Sequence, residues 1–380
     1  MGIDLKAVGA KIAKYRGLLT ESVGEVATST GIETSRLSAI EEGKIEPTGD
    51  EILILADHFR CDFKFFISNE QTAPFEQTDT LYRAHGEDFT KEDRRAIQEF
   101  LYLCETEAFL MAEMGHPRTD FTFSPSGTFY KGHAEAAAAH LRSTLGYADN
   151  AVPRDVYAEF RKLSVHVFRR KLDNSNISGL FILHPVAGKC ALVNYSEDVY
   201  RQRFSAAHEM AHAIFDADQV ASVSYERADG PNMREVRANR FASCFLMPPE
   251  FLAQLPNPAG WKDDDALHWA NELRVSCNAL GIALKEAKLV DEAKSQHIRG
   301  LRVPREAKVD PELPANLNPT QRERKAHMLE LGLSDFYVGL CFDALNAGVV
   351  TVGRLAEALL CSHAEIAALA SLYGRVLHGD

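Results

Sequence analysis

No run of about 18 consecutive apolar residues occurs in the 380-residue chain, so no helix is expected to span a bilayer. The seven cysteines are scattered without a CxxC pair. An odd, dispersed set excludes a secreted disulfide framework and fits reduced thiols in a cytoplasm. Excess positive charge is missing as well. With 42 Lys and Arg against 54 Asp and Glu, the net charge is −12. That balance excludes broad nucleic-acid affinity by charge alone and leaves room only for a local basic face. The N-terminus MGIDLKAVGAKIAKYR has no apolar centre of the kind a secretory signal needs. Lys6 stands where a myristoylation motif built on Gly2 would need Ser or Thr. No strong internal repeat is visible.

Hydrophobic residues make up 46% of the chain and charged residues 25%, as in an ordinary globular protein with enough apolar material for several cores. The length suggests roughly two to four domains. Residues 1–68 read as a compact helical unit, because Leu5, Val8, Ile12 and Tyr15 recur at helical spacing. SVGE at Ser22–Glu25 is a capping-box pattern, and Gly31 then breaks the helix it starts. A third helix ends before Gly43; two more follow in PTGDEILILADHF and DFKFFI. Short helices joined by a tight glycine turn form the helix-turn-helix pattern. Residues 69–150 read as a polar linker and connecting helices. Residues 151–296 hold three short strands, LSVHVFRR, GLFILHP and KCALVNY, followed by helices. Residues 297–380 read as a proline-containing linker and a helical tail. The expected class is mainly α with a small β-sheet, an α+β arrangement.

The stretch FSAAHEMAHAIF from Phe204 carries the chemistry. On a helix, His208 and His212 lie one turn apart on one face and can share a metal ion. Glu209 is rotated by about 100° from His208, so it can stand beside the metal as a base rather than a ligand. With 14 histidines and 31 glutamates, chance yields HExxH roughly 0.04 times in such a chain. A catalytic zinc commonly takes three protein ligands. EVRAN offers Glu235 to complete the site, with Asn239 one turn later to hold a histidine ring or the ligand helix. One Zn²⁺ per chain is expected, and Mn²⁺ is compatible with the same donors. Cys244, between Phe241 and Leu246, reads as a buried thiol. His363 and His378 in the tail form no one-turn pair.

YRQRFSAAHEMAH followed by EVRANRFASCFLMP, with NYS just upstream, closely resembles the IrrE/ImmA-like metallopeptidases from about Gly179 to Pro248. The resemblance implies a zincin-like fold with His208, His212 and Glu235 as ligands and Glu209 as general base. Ser205 stands where a threonine is usual. It further implies a regulator of gene expression, and some members of the family cleave a partner repressor. On such chemistry Glu209 takes a proton from water and passes it to the leaving amine. The substrate is expected to extend along GLFILHP or CALVNY as an added strand. Tyr195, His184, Tyr225 and Arg237 are candidates to stabilise the oxyanion.

Residues 8–60 resemble the lambda-repressor-like (XRE) helix-turn-helix family through VATSTGIETSRLSAIEEGK, with Gly31 at the turn. By position, Thr34, Ser35, Arg36 and Ser38 would face the major groove or its phosphates, and Lys44 the backbone. Departures are plain: Val23 replaces a common glutamine, Ala39 and Glu42 replace frequent basic residues, and residues 1–60 carry seven Lys/Arg against ten Asp/Glu. Such a unit is expected to need dimerisation on a double-stranded operator, through the long helix after Lys91 or the C-terminal helices. The expectation is therefore a cytoplasmic regulator joining a DNA-binding unit to a zinc peptidase whose substrate is a protein, for example a repressor. The alternatives are a transcription factor whose zincin domain is a non-proteolytic sensor or scaffold, and an antitoxin-like or prophage control protein.

Overall fold

The computed structural model describes residues 4–61, 63–68, 76–126, 129–216, 221–225 and 232–376; Gly2 and His378 lie outside them. Five helices open the chain: α1 (Leu5–Leu18), α2 (Val23–Thr30), α3 (Thr34–Glu41), α4 (Gly49–Phe59) and α5 (Phe63–Ile67). The capping box expected at Ser22 and Glu25 forms, and Thr48 with Glu51 makes a second one. Gly31 ends α2 at φ +72°, a left-handed conformation that glycine adopts without steric cost. Val8, Ile12, Tyr15, Val26, Leu37, Ile40 and Leu55 are buried together as the core of this unit.

The segment expected as a polar linker contains α6 (Glu76–His85), ahead of α7 (Lys91–Glu113). Its composition gave no strong helical period. Leu81, 2% exposed, anchors it in the core, and tertiary burial overrides weak local preference. The chain continues through α8 (Tyr130–Thr144), α9 (Val156–Arg161), β1 (Val165–Arg170), β2 (Ile177–His184), β3 (Gly188–Asn194), α10 (Val199–Phe215), β4 (Ala221–Tyr225) and α11 (Met233–Leu246). Then come α12 (Pro249–Leu252), α13 (Asp263–Glu272), α14 (Cys277–Glu286), α15 (Glu292–Gly300), α16 (Pro319–Glu330), α17 (Asp335–Asn346), α18 (Val352–Ala358) and α19 (His363–Leu372). The three expected strands are present. β4, too short and polar to stand out in the sequence, adds a fourth.

The sheet order is β1-β3-β2-β4, with β1 parallel to β3 and the β2 pairings antiparallel. Both faces are buried, so alternating side chains enter two different cores. Val165, Val167, Phe181, Ala191 and Val193 pack with α8–α11 and α13–α15. Phe168, Leu180, Ile182, Cys190 and Leu192 pack with α6, α7 and α17–α19. The result is three layers, helices on each side of a mixed sheet.

Two expectations change here. The segment 301–318, read as a linker, is a packed strap: the fully buried Arg169 on β1 donates to Asp310 (2.8 and 3.0 Å), Glu312 (2.8 Å) and Gln202 (3.1 Å). Arg161 adds a 3.0 Å bond to Glu312. Of the two uses open to the C-terminal positions, packing or dimerisation, the structure shows packing: Ala344, Leu355, Ala356 and Leu359 join Ile97 and Phe100 of α7 in the second core. Among the described residues no single helix is long and apolar enough to cross a membrane.

Candidate metal centre

Helix α10 is fixed before it carries any function. Asp198 caps it by accepting from the Tyr200 N–H (3.0 Å). Gln202 donates to the carbonyls of Tyr195 and Glu197 (3.0 and 2.7 Å). Arg203, fully buried, donates to the carbonyls of Pro153, Arg154 and Arg274 at 2.5, 2.9 and 3.1 Å. Gln202 and Arg203 of the motif's lead are therefore anchors that satisfy irregular backbone around the helix, while Arg201 pairs with the Glu197 carboxylate. Ala206, Ala207, Met210, Ala211 and Ala213 bury the opposite surface. Small side chains there let the helix lie close on the sheet.

One turn apart, His208 Nε2 and His212 Nε2 stand 3.1 Å from each other. Glu235, in the first turn of α11, brings Oε2 to 3.1 Å from His208 Nε2 and Oε1 to 3.3 Å from His212 Nε2. A tetrahedral zinc with bonds of about 2.0–2.1 Å needs donor–donor edges of about 3.3–3.4 Å, so this triangle has nearly the right size for one face. Behind it, His208 Nδ1 lies 3.1 Å from Asn239 Oδ1, and His212 Nδ1 lies 2.9 Å from Asp216 Oδ2. With Nδ1–H donated backwards, each ring turns an Nε2 lone pair to the same point. Two such lone pairs and a carboxylate at contact distance suit a divalent cation. Among the described residues this is the only cluster of three or more potential ligand groups that converges in this way.

The electrostatics agree. Burial pulls the His212 pKa down, but hydrogen bonds to Asp216 and Glu235 outweigh it and push the ring up to about 10. The Glu235 carboxyl, despite burial, is held well below the usual carboxylate range by the two histidines. This pocket stabilises positive charge, which a metal ion would supply while the rings stay neutral. Asp216 also accepts from Arg237 (2.6 Å), so the ring behind His212 is braced by an ion pair.

Glu209 lies between α10 and β2, close to the same donors. It is 0% exposed, and neither carboxylate oxygen has a hydrogen-bond partner among the described residues. Burial pushes its pKa above the usual carboxylate range, against the pull of His212 and His208. Gly179 on β2 makes the space: a Cβ there would meet Leu192 O at 2.7 Å and Glu209 Oε1 at 2.8 Å.

The remaining residues singled out in the sequence fall elsewhere. His184 lies on the far face of the sheet, 3.0 Å from Glu105. The ring of Tyr195 lies under Arg169, 5.4 Å from its guanidinium carbon. Tyr225 donates to Asp88 (2.6 Å). Only Arg237, of the four oxyanion candidates, reaches the metal centre, and it does so through Asp216. The expected substrate strands are also corrected. β2 and β3 each have a strand on both sides, so neither offers free backbone groups; an added strand is left with an edge such as β4. Ser205 donates to Glu197 (2.8 Å), and Cys244 is buried, its thiol pushed up to about 12 by burial. Asp216 and Gly179 were not singled out in the sequence as site residues, although Asp216 sits four residues after His212, the spacing that brings side chains together on a helix.

On the five-helix unit, Thr34 and Ser35 are exposed at the start of α3 and Ser38 is half-buried. Arg36 is not free: its guanidinium forks onto Glu51, with the second contact at 2.8 Å. Lys44 is exposed and paired with Glu42.

Residues 160–285 match the family described as the IrrE N-terminal-like domain, within the M78 peptidases. This spans β1 to α14 and includes every residue of the metal centre. No curated protein matches the chain. A crystal structure of Bacillus thuringiensis PlcR, in complex with the peptide PapR7 and DNA, aligns over 97% of each chain at 10% identity. Its TM-score of 0.17 is too low to bear on the fold or function.

Proposed function

We propose that the chain is a zinc-dependent peptidase joined to an N-terminal DNA-binding unit, a cytoplasmic regulator that cleaves a protein partner such as a repressor. One observation carries this reading above the rest. A buried carboxylate without a hydrogen-bond partner, Glu209, stands next to a converging His208–His212–Glu235 donor triangle. Leaving such a group unpaired costs stability, and a non-proteolytic scaffold has no use for it. When bound, zinc supplies Lewis acidity toward a water molecule and a peptide carbonyl; manganese is compatible with the same donors. Asn239 and Asp216 hold the two rings in the tautomers that present Nε2. Glu209 accepts a proton from the attacking water on a carboxylate oxygen and passes it to the departing amine.

The DNA-binding half rests on α2, the Gly31 turn and α3, whose leading residues Thr34 and Ser35 are exposed. Arg36, Ser38 and Lys44 complete the proposed contacts once Arg36 leaves Glu51. A homodimer would double the few phosphates this acidic unit can neutralise.

The test is elemental analysis of the purified chain with a cleavage assay on the product of the neighbouring gene. The expected outcome is one metal ion per chain. Glu209→Gln should retain the metal and the fold and lose cleavage by about 10²-fold or more. Unchanged turnover in that variant removes Glu209 from the mechanism, and metal-free wild type with full cleavage removes the metal.

A further inference from the structure

A cleft of about 1000 Å³ opens beside the metal centre. Its wall includes Asn239, which holds His208, and Val236, next to the ligand Glu235. Six basic side chains line it, Lys131, Arg201, Arg240, Arg299, Arg302 and Lys308, against only Asp198 and Glu286. In a chain of net charge −12 that local excess is the reverse of the average. Four of the six are engaged: Lys131 and Arg240 on Glu286 (3.0 and 2.6 Å), Arg201 on Glu197 (2.7 Å) and Lys308 on Asp198 (2.5 Å). The other two are not. Arg299 donates Nε to Asn278 Oδ1 (3.0 Å), and Arg302 donates only to the backbone carbonyls of Arg299 and Leu301 (2.8 Å each). Among the described residues neither has a carboxylate at ion-pair distance, although the charge of Arg299 is felt by Glu292.

We propose that this cleft docks an acidic peptide segment of the substrate protein, with carboxylates on Arg299 and Arg302, at a position behind the His208 ring that Asn239 holds. The proposal rests on the peptidase reading and names the substrate class. Three features favour a peptide. Apolar Phe204, Val236, Ile282 and Val303 share the wall with the cations, which suits mixed side chains. The volume is at the upper end of small-molecule pockets, about 300–1,000 Å³. The two lining carboxylates and the acidic chain disfavour a polyanionic nucleic acid, which binds through a broad basic surface. The guanidinium fork matches a carboxylate in two-point contact.

The experiment reads binding separately from cleavage. Full-length Glu209→Gln protein, loaded with zinc, is titrated by fluorescence anisotropy with a fluorescein-labelled peptide of alternating glutamate and alanine, and with the same peptide carrying glutamine. The acidic peptide should bind about tenfold tighter at low salt, and this preference should fade as salt screens it. Arg299→Gln with Arg302→Gln, which keeps much of each stem, should abolish the preference while metal content and circular dichroism stay at the parent level. Equal binding of the two peptides, no binding of either, or an unaltered preference in the double variant overturns the proposal. Pyrophosphate displacing the peptide stoichiometrically at micromolar concentration also overturns it, because the cleft would then be a small-anion pocket. Intact acidic-peptide binding alongside a wild type that cleaves nothing would instead count against the peptidase reading alone.

Discussion

At the metal centre His208 and His212 are 6% and 1% exposed, and each has its far nitrogen on a fixed oxygen acceptor. On α3, Arg36 is partly exposed and forks onto Glu51 of α4. Both arrangements are polar and fully paired, yet they behave differently. The buried groups have no water to turn to, so their geometry is enforced by the cost of leaving any donor unpaired. The exposed pair exchanges with water at little cost. A centre of the first kind responds strongly to small substitutions, whereas a surface of the second kind can release its side chain to a partner.

Four changes sharpen that contrast, in decreasing order of effect. His212→Ala should abolish stoichiometric metal, since two donors remain where a catalytic site needs three; elemental analysis after dialysis checks it, and full retention would break the ligand assignment. Gly179→Ala should destabilise the sheet layer by about 1–3 kcal/mol and displace Glu209, because the new Cβ would sit 2.7 Å from the Leu192 carbonyl, which cannot move away. Chemical denaturation and the cleavage assay together read both effects. Asp216→Asn should keep the three ligands but weaken metal affinity by about 10–100-fold, the usual cost of losing the partner behind a ligand histidine; a competition titration with a chelator measures it.

The smallest effect belongs to the surface. Arg36→Ala should weaken binding to the protein's own promoter severalfold at fixed salt and leave metal content and cleavage unchanged. The Arg36 guanidinium holds the Glu51 carboxyl down at about 2. The pair therefore persists at every pH where binding would be measured, lost only as pH falls from the ordinary carboxylate range toward that value. DNA must displace Glu51 by exchange, not by titration. If wild type and Arg36→Ala bind the promoter equally, the five-helix unit docks a protein instead.

Much of the metal centre was legible because its geometry is local. HExxH on any helix puts His208 and His212 on one face, and Ser22, Gly31 and Thr48 mark helix ends by chemistry that needs only near neighbours. Asp216 was missed although it follows the same spacing, because it caps the end of α10 where sequence alone does not say whether the helix still runs. Leu81 shows the same limit: a helix held by one buried anchor has no periodic signature.

The sequence by itself determined that His208 and His212 share one helix face, several helix ends and the five-helix unit, since each depends on contacts within a few residues. Only the tertiary structure decided the strand order that closes β2 and β3 to an added strand. It also decided the strap on Arg169, the space that Gly179 leaves for Glu209, and the use of the C-terminal helices as a third layer. These join segments as much as 173 residues apart or more, and no local propensity encodes such pairings. They follow from which buried surfaces and buried charges can be satisfied together.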